Sequence, residues 1–201
     1  MEITKIVITG GPCGGKSSAI RWIVREFSQK GYTVIAVPET ATELISGGVC
    51  PWTCGTNAEY QKCQMKLQLS KEAIFEQGIR TMPVEKVLMI CDRGAMDNKA
   101  YMNEKEFAEV LAEVDETAET LLNRYDAVFH LTTAAKGRSE DYTMENNIAR
   151  YESVEEAVEL DDRLIACWEG HPRLRIIYSE TTFEEKMEHL IGEINAYLET
   201  K

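Results

Sequence analysis

Apolar and polar positions along the chain fall into blocks that repeat a strand followed by a helix. Five apolar runs have the length of buried strands, within EITKIVIT, QKGYTVIAVPE, VEKVLMICDRG, DAVFHLTT and LRIIYS. Between these runs, apolar residues recur at the spacing of one helix face, as at Ile20, Ile23, Val24 and Phe27. Strands that alternate with helices in this way predict an α/β fold with a mostly parallel sheet and helices on both faces.

Capping signals indicate where several helices begin. Thr56 and Thr182 are each followed three residues later by a glutamate, which is the capping box that opens a helix. Asp115 is expected to cap a short helix after the third strand. A long helix is expected over about residues 144–168, after the fourth strand.

The loop after the first strand carries the clearest chemical signal. Its sequence GGPCGGKSS matches the pattern Gly-x-x-x-x-Gly-Lys-Ser and lies between a strand and a helix. Such a loop points backbone N–H groups at phosphate oxygens, while its lysine reaches the β- and γ-phosphates and its serine hydroxyl ligates Mg²⁺. The candidate phosphate-binding residues are Gly10, Gly11, Pro12, Cys13, Gly14, Gly15, Lys16, Ser17 and Ser18, with Ser17 as a metal ligand.

Charged residues at the ends of the second and third strands extend this candidate site. Asp92 follows the apolar run VLMIC, where a second Mg²⁺ ligand is needed, and Arg93 beside it is a candidate to bind phosphate or substrate. Glu39 ends the second strand and is expected to accept a proton from, or to orient, a substrate hydroxyl. The alternatives are structural: a solvated Asp–Arg pair where a strand stops, and an N-cap at Glu39.

The polar connection after the fourth strand is a candidate lid over about residues 133–150. It contains Lys136 and Arg138, and Arg150 follows in the expected long helix. An arginine on a closing lid neutralises charge that develops on a transferred phosphoryl group, and we expect Arg138 to have this catalytic role. The alternative for each residue is an exposed, charged loop.

Charge and hydropathy restrict the partners. Lys and Arg number 22 against 34 Asp and Glu, so the formal net charge is −12. This argues against a nucleic-acid partner, because binding a phosphate backbone needs clustered cations. No apolar run approaches the roughly 20 residues that span a bilayer, and the N-terminus does not resemble a signal peptide, so a cytoplasmic protein with no membrane partner is expected.

The remaining composition favours one domain without a zinc site. The 201 residues show no repeat and no linker, so a single domain over 1–201 is expected. Cys50, Cys54 and Cys63 have no fourth ligand nearby for a tetrahedral metal site, and reduced thiols are expected. The oligomeric state is left open.

Several sequence blocks together resemble a known family over about residues 3–195. The blocks are ITGGPCGGKSS, VPETATELI, CDRGAMDNKAY, NIARYES, LDDRLIACWEGHP and TFEEKM. They look like the AAA-type NTPase domain shared by the TRPL translocation defect protein family and the kinase domain of the bacterial NAD regulator. The resemblance implies a three-layer P-loop NTPase fold of the nucleotide-kinase type, with five strands in the order 2-3-1-4-5.

The same resemblance implies a ligand set. It implies ATP or GTP on the phosphate loop, Mg²⁺ near Ser17 and Asp92, and a lid near Arg138. By analogy with deoxynucleoside kinases, Glu39 matches the acidic residue that acts on the acceptor hydroxyl, and Asp92 with Arg93 matches their acidic-arginine pair. Nicotinamide riboside is one candidate for the phosphoryl acceptor.

These observations predict a Mg²⁺-dependent kinase that transfers the γ-phosphoryl group of ATP or GTP to a small, nucleoside-like molecule with a hydroxyl group. Lys16 and Mg²⁺ stabilise the phosphates, Glu39 positions the hydroxyl, and Arg93 and Arg138 offset charge in the transition state. The alternative is a nucleotide-dependent switch with slow hydrolysis, in which a bound triphosphate orders the lid. A plain NTP hydrolase is the third interpretation.

Overall fold

A computed structural model of the chain describes residues 1–137, 153–179 and 182–201. Within them, five parallel strands form one sheet in the order β2-β3-β1-β4-β5. The strands are β1 (Glu2–Gly10), β2 (Thr33–Val37), β3 (Lys86–Asp92), β4 (Ala127–Leu131) and β5 (Leu174–Ile177). The predicted α/β class and the strand order 2-3-1-4-5 are confirmed.

Helices connect successive strands of the parallel sheet. They are α1 (Lys16–Gln29), α2 (Thr40–Ser46), α3 (Asn57–Ile79), α4 (Glu104–Glu113), α5 (Ala118–Leu122), α6 (Val154–Cys167) and α7 (Phe183–Glu199). Two short 3-10 helices follow β3 and β4, at Ala95–Tyr101 and Ala134–Lys136. None of the helices in the described residues is long and apolar enough to cross a membrane.

Two hydrophobic cores lie on opposite faces of the sheet, which makes the fold three-layered. Because side chains alternate along a strand, Ile6 and Ile8 of β1 pack with α1 and α7, whereas Val7 packs with α3 to α6. The largest buried side chains divide in the same way, with Phe27 on the first side and Trp168 on the second. Both faces of the central strand are therefore buried, as expected for a parallel sheet.

The predicted helix starts at Thr56 and Thr182 are confirmed, and the complete capping box is present at Thr182. The Thr56 hydroxyl accepts a hydrogen bond from the Glu59 backbone N–H at 3.1 Å, and α3 starts there. The Thr182 hydroxyl accepts from the Glu185 backbone N–H at 3.3 Å at the start of α7.

The prediction that Asp115 caps a helix is wrong. Thr117 is the N-cap of α5, and its hydroxyl accepts from the Thr120 backbone N–H at 3.1 Å. Asp115 instead adopts a left-handed conformation, with φ of 54°, in the turn that ends α4. Aspartate tolerates this conformation better than most residues, so it closes one helix rather than opening the next.

The predicted helix over 144–168 is wrong at its start. Within the described residues, α6 begins at Val154 because Ser153 is an extended N-cap that forms a capping box with Glu156. This box is readable in the sequence as S-x-x-E and competes with the helical periodicity that precedes it. Residues 144–152 lie outside the described residues.

Candidate functional site

The loop between β1 and α1 is held in a conformation that most residues cannot adopt. Gly10 and Gly15 have φ of 146° and 88°, and Cys13 also has a positive φ, of 55°. Gly15 occupies the N-cap position of α1 without a side-chain cap, and the first turn contains no acidic residue. The first N–H groups of α1 are therefore available to an anion, with the positive end of the helix dipole behind them.

Close packing requires glycine at Gly10, where a Cβ atom would lie 2.0 Å from the Leu131 carbonyl oxygen, and at two further positions of the loop. A Cβ atom on Gly11 would lie 2.6 Å from Asp161 Oδ1, and one on Gly14 would lie 2.7 Å from the Leu131 carbonyl oxygen. The Pro12 carbonyl between them accepts a hydrogen bond from the Thr133 hydroxyl at 2.5 Å. The loop is thus pressed against β4 and α6 and has little freedom to change shape.

Lys16 begins α1 directly after this loop and is partly buried. Its Nζ lies 3.2 Å from the Gly10 carbonyl oxygen, to which it donates. Burial, with a smaller repulsion from Arg93, lowers the pKa of Lys16 to about 8. Ser17 in the next position is exposed, and the Ser18 hydroxyl accepts from Arg21 at 2.9 Å. A triphosphate would supply the negative charge that this lysine lacks.

Glu39 and Arg93 form an ion pair across the carboxyl ends of β2 and β3. Arg93 Nε donates to Glu39 Oε1 at 2.6 Å, and the Thr42 hydroxyl donates to Glu39 Oε2 at 2.6 Å. Burial would raise the pKa of Glu39, but Arg93 and Lys16 outweigh it and lower the pKa to about 2. Glu39 therefore stays ionised near neutral pH.

The alternative interpretation, that Glu39 is an N-cap, fits its position in the chain but not the contacts of its side chain. Glu39 occupies the N-cap position of α2, yet its side chain makes no capping hydrogen bond to the helix backbone. It turns instead to Arg93, whose own φ of 68° places it in the left-handed region. Such strain in a non-glycine residue costs of order 1–3 kcal/mol and is concentrated at functional sites.

Two polar atoms at this edge have no hydrogen-bond partner among the described residues. They are Asp92 Oδ1 and Arg93 Nη1, and both atoms are buried. Burial raises the pKa of Asp92, against the opposing attraction of Lys16. Leaving a buried polar atom unpaired costs about 1–3 kcal/mol, so an unpaired carboxylate oxygen and an unpaired guanidinium N–H in successive residues favour a ligand with both cationic and anionic parts.

The oxygen donors fit a magnesium ion bound together with phosphate. Mg²⁺ is commonly held by one or two protein oxygens, with water and phosphate oxygens completing the octahedron. Asp92 offers an unpaired carboxylate oxygen and Ser17 an exposed hydroxyl. In the part of the chain that the structure describes, no group of three or more His, Cys, Asp or Glu side chains is placed to hold a metal by itself.

Asp161 on α6 is a site residue that sequence reasoning missed. Its Oδ1 accepts hydrogen bonds from the Gly11 backbone N–H at 2.8 Å, from His130 Nε2 at 2.9 Å and from the Thr133 backbone N–H at 3.2 Å. Burial would raise the pKa of Asp161, but His130 and Lys136 lower it to about 2. A signal existed: Asp161 lies on the buried face of α6, beside Leu160 and Leu164.

Lys186 on α7 is a second missed residue and holds the other side of the loop. Its Nζ donates to the Gly14 carbonyl at 2.9 Å, to the Thr132 carbonyl at 2.8 Å and to the Ser179 hydroxyl at 2.6 Å. Three acceptors satisfy all three N–H groups of an ammonium. Burial lowers the pKa of Lys186 to about 8. The corresponding signal was a lysine on the apolar face of α7, next to Met187.

The predicted lid is only partly described. Lys136 ends the 3-10 helix after β4, where its Nζ lies 2.8 Å from Asp161 Oδ2 and 2.6 Å from Asp162 Oδ1. Arg138 and Arg150 lie outside the described residues, so their expected roles stay predictions.

In the described residues none of the six cysteines forms a disulfide, and the three expected to be reduced thiols differ in exposure. Cys50 is buried, Cys54 is intermediate and Cys63 is exposed. The Cys50 thiol points at the Ile45 carbonyl oxygen, with the sulfur 3.7 Å from that oxygen.

The structure brings Lys16, Glu39, Asp92 and Arg93 together at one edge of the sheet, as the sequence predicted; their catalytic roles stay predictions. A family model described as an AAA domain matches residues 5–186, which include the loop, both strand ends and Lys186. A comparison with curated proteins finds no match.

Proposed function

The chain belongs to this AAA-domain family and is a P-loop nucleotide-binding protein, and from that premise we propose that it is a kinase. It transfers the γ-phosphoryl group of ATP or GTP to the hydroxyl group of a small, nucleoside-like molecule. Membership in the TRPL group or the NAD-regulator group within the family stays a prediction, as does the lid at Arg138.

One observation carries the proposal: an ionised carboxylate and an unpaired guanidinium N–H meet beside the phosphate loop. Glu39 and Arg93 are joined at 2.6 Å, and Arg93 Nη1 is buried without a hydrogen-bond partner among the described residues. A site that only binds a nucleotide needs no carboxylate next to the terminal phosphate, because the two negative charges repel. A kinase needs one there to hold a hydroxyl group.

Each side chain has a role that follows from its charge. The first N–H groups of α1 and the Lys16 ammonium bind the phosphates, and phosphate binding raises the pKa of Lys16 again. Arg93 Nη1 donates to an oxygen of the phosphoryl group in transfer. Asp92 and Ser17 would hold Mg²⁺, which neutralises charge on the β- and γ-phosphates when bound.

Glu39 acts by orientation rather than as a strong base. With a pKa of about 2, it binds a proton weakly, but its carboxylate accepts a hydrogen bond from the incoming hydroxyl. This is sufficient because phosphoryl transfer has a loose transition state, in which the hydroxyl oxygen is aligned before its proton leaves. The new oxygen–phosphorus bond forms as the bond to the leaving diphosphate breaks, and the proton passes to solvent.

The test measures nucleoside diphosphate formation from Mg·ATP and Mg·GTP, with and without a pooled metabolite extract. We expect the extract to increase diphosphate formation, and Glu39→Gln to reduce this increase by at least about 100-fold with little change in nucleotide affinity. Lys16→Ala is expected to abolish both binding and transfer.

The matched control is Glu43→Gln on the same helix. Glu43 is exposed and pairs with Lys71 at 2.8 Å, so the transfer activity of this variant is expected to be unchanged. Full transfer by Glu39→Gln would refute the kinase mechanism. Tight nucleotide binding with no consumption of any metabolite would favour the nucleotide-dependent switch.

A further inference from the structure

Helix α3 buries an unusual row of polar side chains against the site. Gln61, Gln64, Gln68 and Glu72 share one face and are between 1% and 7% exposed. A helix face packed against a sheet is normally apolar, so each buried polar group needs a partner. The partners of these four residues differ systematically along the helix.

The two members of the row nearer the C-terminus of α3 have partners. Glu72 Oε1 accepts from the Tyr125 hydroxyl at 2.9 Å, and Glu72 Oε2, which has no hydrogen-bond partner among the described residues, forms an ion pair with Lys5 Nζ at 3.5 Å. Gln68 donates to the Arg93 carbonyl at 3.3 Å and accepts from Asn98 at 3.1 Å.

One turn closer to the N-terminus of α3, Gln64 donates to Asn98 Oδ1 at 2.6 Å. Asn98 in turn donates to the Ala95 carbonyl at 2.9 Å, so it links the row to the 3-10 helix after β3. From Gln64 to Glu72, the buried row is therefore tied to the surrounding structure by hydrogen bonds.

The member of the row nearest the N-terminus of α3 has no such partner in the described part of the chain. Gln61 Oε1 and the hydroxyl of the adjacent Tyr60 are both buried and have no hydrogen-bond partner among the described residues. The two residues are 3% and 2% exposed. Gln61 Oε1 ends the paired row and the Tyr60 hydroxyl lies on the adjacent helix face, so a polar ligand at this end of α3 would complete both groups.

The direction of α3 places these two residues beyond the carboxyl edge of the sheet, where Glu39 and Arg93 lie. Gln68 contacts the residue after β3, whereas Glu72 contacts Lys5 in the middle of β1, so α3 runs antiparallel to the strands. Gln61 precedes Gln68 by seven residues, which is about 10 Å along a helix. It therefore lies beyond the carboxyl ends of the strands, above Arg93.

Tyr60 is protonated near neutral pH. Burial, more than the Glu39 carboxylate, raises the pKa of Tyr60 to about 12. The hydroxyl is thus a neutral donor and acceptor.

We propose that Gln61 and Tyr60 bind the end of the phosphoryl acceptor that is remote from its reacting hydroxyl, and that this end carries an N–H group. The Gln61 amide oxygen accepts from that N–H, and the Tyr60 hydroxyl bonds a neighbouring polar atom. This inference rests on the proposed kinase function and specifies its substrate class: nucleoside-like molecules with an amino or amide group, rather than simple sugars or alcohols.

The test uses pairs of probes that differ in this N–H group. Adenosine and cytidine are compared with N6,N6-dimethyladenosine and N4,N4-dimethylcytidine, and nicotinamide riboside and ribose complete the set. Binding is measured by titration calorimetry with Mg²⁺ and a non-hydrolysable ATP analogue, and transfer is measured separately with Mg·ATP. We expect at least one amino-bearing nucleoside to bind about tenfold or more tightly than its dimethyl counterpart and than ribose.

The variant that isolates the contact is Gln61→Met, which keeps the length of the side chain. It is expected to bind both members of a pair alike, whereas Gln77→Met, at an exposed position of α3, keeps the preference. Because unpaired polar atoms destabilise the free protein, Gln61→Met and Tyr60→Phe should leave its Tm unchanged or higher. A Tm several degrees lower would mean that these groups are structural and would overturn the inference.

The outcomes separate the two proposals. Transfer that is insensitive to Gln61 overturns this inference and leaves the kinase function standing. Binding that depends on Gln61 without any transfer supports the site and refutes the kinase function. No binding by any of the six probes refutes the inferred substrate class.

Discussion

Asp161 and Asp162 offer a matched test of how the phosphate loop is held. Both carboxylates pair with Lys136, but Asp161 is fully buried and also binds the Gly11 backbone N–H, whereas the Asp162 side chain is 65% exposed. We predict that Asp161→Asn destabilises the protein by about 2–3 kcal/mol at pH 7, and that Asp162→Asn costs about 0–1 kcal/mol.

The magnitude follows from the pKa of Asp161. Asparagine resembles an aspartate that is permanently protonated. The stability lost in Asp161→Asn therefore equals the extra free energy that ionisation of Asp161 releases in the folded protein compared with the unfolded protein. The pKa falls from 3.8 to about 2 on folding. At about 1.4 kcal/mol per pKa unit, this difference is worth about 2.5 kcal/mol. In a chain of this size the Tm should fall by roughly 5–10 °C.

The pH dependence distinguishes this mechanism from a general packing defect. Because folding lowers the pKa, the stabilisation is complete above about pH 5 and is lost as the pH falls through the folded value of about 2. The difference between the unmodified protein and Asp161→Asn should therefore shrink by about half at pH 3. Urea unfolding at pH 7 and pH 3 measures it. Equal costs for the two variants, or a gap that does not change with pH, would refute the reasoning.

Three further predictions follow from the site and the core. Since the pKa of Lys16 is about 8, about half of the Lys16 side chains are neutral at pH 8, and the protein should take up about 0.5 proton when it binds a triphosphate. Calorimetry in buffers of different ionisation enthalpy measures this uptake, and Lys16→Arg should abolish it. Gly14→Ala places a Cβ 2.7 Å from a β4 carbonyl oxygen and should weaken binding of a fluorescent nucleotide more than tenfold, whereas Gly55→Ala, with nothing within 4 Å, should not. Iodoacetamide should modify exposed Cys63 in the native protein but spare Cys167, whose pKa burial raises to about 12; mass spectrometry before and after unfolding compares them.

The expected helix starts show where local patterns suffice and where they compete. Thr56 and Thr182 were readable because a capping box involves only four consecutive residues. Asp115 and Thr117 are both acceptable caps, and the choice between them depends on the turn that ends α4. At Ser153 a capping box and a continuing helical pattern disagreed, and the cap prevailed.

By itself, the sequence determined the elements whose physics is local. The spacing from Gly10 to Ser18, the apolar runs and the polar residues that end them depend on neighbours in the chain, so the fold, the loop and the positions of Glu39, Asp92 and Arg93 could be predicted from them.

Only the tertiary structure decided which distant side chains support the site. Asp161 and Lys186 reach the loop across 150 and 172 residues, and both resembled errors in the apolar pattern of a helix until the layers were assembled. The same holds for Gln61, whose significance depends on the direction of α3 and on the pairing of the rest of its row. Such groups are selected by what surrounds them in a dry interior, where an unpaired polar atom is costly, and periodicity along the chain does not contain that information.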